Sequence, residues 1–187
     1  RPAAVRLLVE SEPLAGRADG GALGTLQGRA AFRQQAGEVP CGRRRQREVA
    51  GQERRAMLPF ATVLKTESRV VGSTRFGNID LRHRRVEIGW TWIARPWQRT
   101  AVNTEAKVLM LRHAFETLGC VRVELKTDAL NERSRQAILR LGAKEEGIFR
   151  QHMVMPGGRL RDTVYYSILD REWPEIRGRL EARMKRN

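Results

Sequence analysis

One run of the chain, Arg84 to Gly142, restricts the possible folds more than any other. It opens with "RRVEIGWTWIA", in which Val86, Ile88, Trp90 and Trp92 alternate with Glu87, Gly89 and Thr91. That period of two predicts a strand with the tryptophans on one face and Glu87 on the other. Next comes "RPWQRTAVNTEAKVLMLRHAFETLG", a loop leading into a helix whose apolar stripe is Val108, Leu111, Ala114/Phe115 and Leu118. Gly119 stands where a glycine ends such a helix. "CVRVELKT" reads as a buried strand, and "NERSRQAILRLG" as a second helix with Ala137, Ile138 and Leu141 inward and Gly142 as its stop. A strand, a helix and a second strand in one sheet require a crossover, and its hand is right. Both helices then start at one edge of the sheet, at the C-terminal ends of strands, where ligand crevices form.

The flanking segments extend the pattern. "MLPFATVLK" and "RVVGSTRFGNID" read as strands before the run, so that three strands form an antiparallel meander. After it, "KEEGIFRQHMVM" and "RLRDTVYYSIL" are strands joined at "PGG", and "DREWPEIRGRLEARMKRN" is a charged terminal helix. The expected class is α+β (mixed α/β), a mainly antiparallel sheet with a parallel crossover and flanking helices.

Residues 57–187 carry all of this patterning. Residues 1–56 hold no Lys, Ile, Asn, Tyr or Trp and a single aromatic, Phe32, and "CGRRRQREVAGQERR" has neither helical nor strand period. They are expected to be an Arg/Gly/Ala-rich segment without regular structure, or the product of a shifted reading frame. The chain does not begin with Met, which suits a fragment. No run of about 18 apolar residues predicts a membrane span, and no apolar leader is seen at the start. Two cysteines, Cys41 and Cys120, make no disulfide framework, and Cys120 reads as a small core residue. A cytoplasmic setting is expected. The net charge of +15 suits any polyanionic ligand. The basic residues are scattered, without interleaved aromatics or a recognisable module, so nucleic acid is not the expected main partner.

Two helix starts carry the chemistry. Before the first helix, Pro96 ends the strand, and Asn103 or Thr104 reads as its N-cap. A helix N-terminus also attracts anions. Gln98, Arg99 and Thr100 favour an anion there by adding donors and a positive charge, and Glu105 in the first turn opposes one. At the second start, Asn131 is a natural N-cap with Ser134 three residues on. Capping alone explains either pair, but the two starts border one groove if the crossover is right-handed.

The run from Val86 to Arg150, with "RDTVYYSILDREWP", resembles the GNAT superfamily of acetyl-CoA-dependent N-acetyltransferases, within it the RimJ/RimL-like group of ribosomal-protein N-terminal acetyltransferases. The resemblance covers about Met57 to Met184. It implies a GNAT fold and acetyl-CoA as cosubstrate, with no metal. It also implies a pyrophosphate loop of the form Gln/Arg-x-x-Gly-x-Gly/Ala over Gln98, Arg99, Thr100, Ala101, Val102 and Asn103. Gln98 takes the first position, while Ala101 and Asn103 stand where small residues belong, so both glycines are lost. Asn131 corresponds to the asparagine of the cofactor groove, and Ser134 to the residue near the coenzyme sulfur. Ile93 and Ala94 correspond to backbone lining the pantetheine arm, with an N–H near Trp92–Ile93 placed to polarise the thioester carbonyl.

Acetyl transfer to an amine requires a proton acceptor or a water relay. Glu87 is the first candidate base, with a cross-strand salt bridge as its structural alternative. Tyr165 or Tyr166, alternating on the last strand, can reach the site as proton donor, the other being core. His113 and His152 have no partner and read as structural. The expected function is acetyl transfer to a primary amine, a protein N-terminus or a small molecule, by a monomer or homodimer. The alternatives are a weak or inactive acyl-CoA-binding protein and a basic nucleic-acid-binding protein.

Overall fold

The computed structural model describes residues 5–9, 24–25 and 57–186. They form one eight-stranded mixed sheet. In chain order its strands are β1 (Val5–Val9), β2 (Gly24–Thr25), β3 (Leu58–Leu64), β4 (Arg69–Asp80), β5 (Arg85–Ile93), β6 (Arg122–Asp128), β7 (Lys144–Val154) and β8 (Leu160–Leu169). The spatial order is β2-β1-β3-β4-β5-β6-β8-β7, and every neighbouring pair is antiparallel except β5–β6. Helix α1 (Val102–Arg112) continues as a π-helical turn to Thr117, α2 spans Glu132–Leu141 and α3 spans Trp173–Arg186. This is the α+β arrangement expected from the sequence, with the crossover through α1.

Apolar positions on one face of the sheet make the core. Phe60, Phe76, Val86, Ile88, Val123, Leu125, Tyr166 and Ile168 pack with Ala106, Met110 and Leu111 of α1, with Ala114 of the π-helical turn after it, and with Ile138 of α2 and Leu180 of α3. The other face is more polar and carries Glu87, Lys126 and Tyr165. Gly119 (φ +65°) and Gly142 (φ +101°) adopt the left-handed backbone that ends each helix, as their positions predicted. Cys120 is buried, and its burial pushes the thiol up to about 11, which leaves it inert at neutral pH. The turn after β7 runs from Met155 to Arg159 with Gly157 and Gly158 at positive φ.

Two expectations need correction. Residues 1–56 were read as unpatterned, yet Val5–Val9 is a strand hydrogen-bonded beside β3, and Val5 and Leu7 are buried. "VRLLV" is short, and its strand character comes from pairing with β3 rather than from any local period. Cys41 and the segment Cys41–Arg55 lie outside the described residues. The even alternation read through "VEIGWTWI" also fails at Trp90. Ser73 pairs with Trp92 and Arg75 with Gly89, so β5 advances three residues while β4 advances two. The extra residue makes a bulge, Trp90 takes φ +49°, and the side chains beyond it change face.

Candidate active site

β5 and β6 are paired at Arg85↔Arg122, Val86↔Val123 and Glu87↔Glu124 only. Beyond Glu87, β5 stays with β4 as far as Ile93, while β6 stays with β8 as far as Asp128. The parallel pair therefore splits open at its C-terminal end. α1 follows one strand of the split and α2 the other. Gln98, in the loop after β5, links them: its Nε2 donates to Ile93 O (2.7 Å) and its Oε1 accepts from Arg133 Nη2 (2.8 Å) in the first turn of α2. The two helix starts thus border one opening, as the crossover argument required.

The start of α1 differs from the expected cap. Neither Asn103 nor Thr104 is the N-cap; the helix begins at Val102 behind Ala101, and no side chain caps it. A 3₁₀ turn at Arg95–Trp97 brings the chain in, and Thr100 Oγ1 donates to Trp97 O at 2.7 Å. The helix start falls two or three residues earlier than the N-cap preferences of Asn and Thr suggest. Val102 N donates to Thr100 Oγ1 over a long 3.4 Å, and the next two N–H groups, of Asn103 and Thr104, have no partner among the described residues, which is what an anion cradle needs. Arg99, in the loop just before the helix, takes φ +64°, and Ala101 takes φ −67° and ψ −18°. Ala101 lies in the helical region, so alanine replaces glycine there without strain.

The expected side-chain donors are mostly committed elsewhere. Gln98 braces the loop and Thr100 donates to Trp97, which leaves Arg99 and the backbone to meet an anion. Glu105, in the first turn, directs its Oε2 to β1, where it accepts from Val5 N at 3.1 Å. Arg99, Thr100, Ala101 and Thr104 share a recess of about 310 Å³ with Arg183 and Met184. α3 lies antiparallel along α1, with Arg177 at Glu116 and Arg112 at Glu181, and this carries Arg183 to the start of α1. The sequence held no signal for Arg183, since one arginine in a charged terminal helix has no period to mark it.

At the strand end, Ala94 N donates to Val71 O on β4 (2.8 Å). Strand alternation then turns the Ile93 N–H toward the opening, where Ile93 O already meets Gln98. Trp92 is exposed, and Ile93 and Trp97 both pack against the buried cluster that includes Val71 and Val102. At the start of α2, Asn131 Oδ1 accepts from Ser134 N at 3.0 Å, so Asn131 is the N-cap its type predicted. Ser134 is half-buried, and its hydroxyl makes no hydrogen bond among the described residues.

Glu87 sits at the last rung of the β5–β6 pairing and is 2% exposed. Its Oε2 accepts from Asn78 Nδ2 (2.5 Å) and pairs with Lys126 Nζ (2.9 Å). The cross-strand salt bridge is present, and it is buried rather than on the surface. Oε1 makes no hydrogen bond among the described residues; a methyl group at Gly89 would lie 3.1 Å from it. Trp90 is on the Glu87 side rather than opposite, because of the bulge. Its ring lies over Gly77, where a Cβ would come within 2.4 Å of it, and 5.9 Å from Lys126 Nζ. Tyr165 shares this face, 5.5 Å from Lys126 Nζ and 4.6 Å from Phe149, while Tyr166 is fully buried. His113 stacks on Phe76 at 6.3 Å, its pKa lowered by burial, and His152 packs edge-on to Phe149.

Sequence reasoning missed Lys107. It lies within α1 and is 5% exposed. Its Nζ donates to Thr74 Oγ1 (2.9 Å) and to Thr91 Oγ1 (2.5 Å), two hydroxyls that are themselves 2.9 Å apart. Desolvation pulls its pKa down to about 7. A lysine inside the apolar run "AKVLML" was the available sign.

A strand pair that splits over two bordering helix N-termini is a fold-level signature, and the comparisons give it a family. Residues 29–144 match the family described as Acetyltransferase (GNAT) domain, so the chain belongs to the GNAT acetyltransferase family. It is 37% identical over 102 residues to the Bacillus subtilis protein named "Putative ribosomal N-acetyltransferase YdaF", covering 54% of this chain and 55% of that one. The chain thus spans about half the length of the curated relatives it matches. Among solved structures, it is 38% identical to a GCN5-related N-acetyltransferase from Brucella melitensis, with TM-score 0.65, covering 67% of this chain and 56% of that one. It is 29% identical to Mycobacterium smegmatis RimJ in complex with CoA-disulfide, with TM-score 0.61, covering 73% and 63%. These relatives support the RimJ-like group.

Proposed function

We propose that the protein transfers the acetyl group of acetyl-CoA directly to a primary amine, as a RimJ/RimL-like N-acetyltransferase whose acceptor is a protein N-terminus or a small amine. The observation that carries this reading is the split of β5 from β6 beyond Glu87, with the open N–H groups of α1 at one end and the Ile93 N–H at the other. The residues present fit the coenzyme. An uncapped helix start with Arg99 and Arg183 beside it suits a pyrophosphate, and an inward strand N–H suits a thioester carbonyl. Acetyl-CoA would supply the activated acyl group. The similar proteins include one named "Putative ribosomal N-acetyltransferase YdaF" and a RimJ in complex with CoA-disulfide, which supports both halves of the proposal.

Each named residue takes a part. Arg99, Thr100, Ala101, Val102 and Asn103 hold the phosphates, mainly through backbone. Ile93 N–H receives the carbonyl oxygen as negative charge develops on it. Glu87 Oε1 accepts a proton from the attacking amine, directly or through water, while Lys126 and Asn78 hold the other oxygen. The Ser134 hydroxyl protonates the departing thiolate, and Tyr165, beside Lys126, is the alternative donor. Holding amine and thioester in one opening supplies much of the rate by itself.

The test is release of free thiol from acetyl-CoA over a panel of N-terminal peptides and small amines. Saturable, amine-dependent release with an acetylated product is the expected result. Acetyl-CoA binding without release on any amine would leave the protein as an acyl-CoA binder and end the enzymatic reading.

A further inference from the structure

We infer that Lys107 is a positioning residue for acetyl transfer, tying the β5 bulge to helix α1 so that the Ile93 N–H stands at a fixed distance from the phosphate-holding helix start. The inference rests on the reading above, in which those two places hold opposite ends of one coenzyme.

Three observations carry it. Lys107 is buried, and among the described residues it has no carboxylate partner, so its charge is not there to make an ion pair. Both its hydrogen bonds go to threonine hydroxyls that flank the bulge: Thr74 on β4, and Thr91, which immediately follows Trp90 at φ +49°. Third, Lys107 lies about one and a half turns into α1 from its first residue, Val102, on the helix that the loop Gln98–Ala101 feeds.

A bulky residue at positive φ is strained and persists only where its surroundings hold it. The β5–β6 ladder cannot do so, having ended at Glu87. Lys107 supplies the hold from the helix side, through its bonds to Thr74 and Thr91. A buried lysine kept only for stability would be a poor choice, since an apolar side chain of equal length would fill the space without the desolvation cost.

The experiment compares Lys107→Met, Thr91→Val and the double variant with the wild-type protein. Measurements are thermal stability, acetyl-CoA affinity by calorimetry, and kcat and KM for the best amine. Lys107→Met should keep or raise Tm and hold acetyl-CoA Kd within about threefold, while kcat falls roughly 10- to 100-fold. Thr91→Val should lower kcat similarly, and the double variant should lose little more than either single one, because both remove the Lys107–Thr91 bond. A kcat within twofold of wild type in Lys107→Met would overturn the inference. So would losses of kcat that track falling Tm and rising Kd together, which mark a purely structural role. Should Lys107→Met fail to fold, Thr91→Val decides alone: an unchanged kcat overturns the inference. A wild-type protein that neither binds nor turns over acetyl-CoA instead defeats the proposed function, a separately visible outcome.

Discussion

Glu87 and Lys107 are the buried charges nearest the point where β5 leaves β6, and the fold treats them in opposite ways. Glu87 is given a counter-charge and an amide donor on one oxygen, with the other left clear. Lys107 receives only hydroxyls. If Glu87 is the proton acceptor, Glu87→Gln should lower kcat about 100-fold with acetyl-CoA affinity unchanged; steady-state kinetics beside calorimetry check this, and a kcat within threefold would remove its role. Ser134→Ala should slow turnover about tenfold at constant Kd, and an unchanged turnover would pass the proton to Tyr165. Lys107 leaves a trace in stability. Its pKa is about 7 folded against 10.5 unfolded, so between these values the unfolded chain binds more protons and stability rises with pH. Below about pH 7 both states are protonated, the slope vanishes and the desolvation cost stands in full. Denaturant titrations from pH 7 to 10 should show this rise in the wild-type protein and its loss in Lys107→Met; equal slopes would mean that Lys107 is hydrated in solution.

At the scale of elements, the sequence showed most of what local pattern can carry. β3 to β8 and the helices α1 to α3 fall on the runs read from period and from glycine stops; most have a buried face that imposes its spacing, while β7, exposed along its length, was marked by the "PGG" turn that joins it to β8. What the sequence hid was set by pairing. β1 is a strand because β3 lies beside it, and the bulge at Trp90 arises from the β4–β5 register, which no property of "GWTW" alone discloses. For the same reason Trp90 was put opposite Glu87 when it is on the same side. The loop into α1 shows the reverse case. Its residue types suggested a cap at Asn103, whereas its backbone leaves the helix start uncapped and places Arg99 in the left-handed region that a glycine would usually fill. If that backbone holds phosphates, Thr100→Asp should weaken acetyl-CoA binding at least tenfold by repulsion. Thr100→Val, which removes the bond to Trp97 O without adding charge, should cost much less. Equal affinities for all three proteins would move the phosphate site elsewhere.

Over the whole molecule, the net charge of +15 surrounds an opening whose expected ligand is a polyanion. Arg99 and Arg183 gather at one helix start, though they come from a loop and a terminal helix far apart in the chain. Such a field favours acetyl-CoA, and equally any acceptor amine displayed on an anionic surface. The central claim is that a glycine-free loop, a split strand pair and the end of α3 together make a coenzyme site. Calorimetric titration of the protein with acetyl-CoA at two ionic strengths tests it most directly. Saturable binding at one site per chain is expected, weakening as salt rises and at least tenfold weaker in Thr100→Asp. No saturable heat at low salt would contradict it.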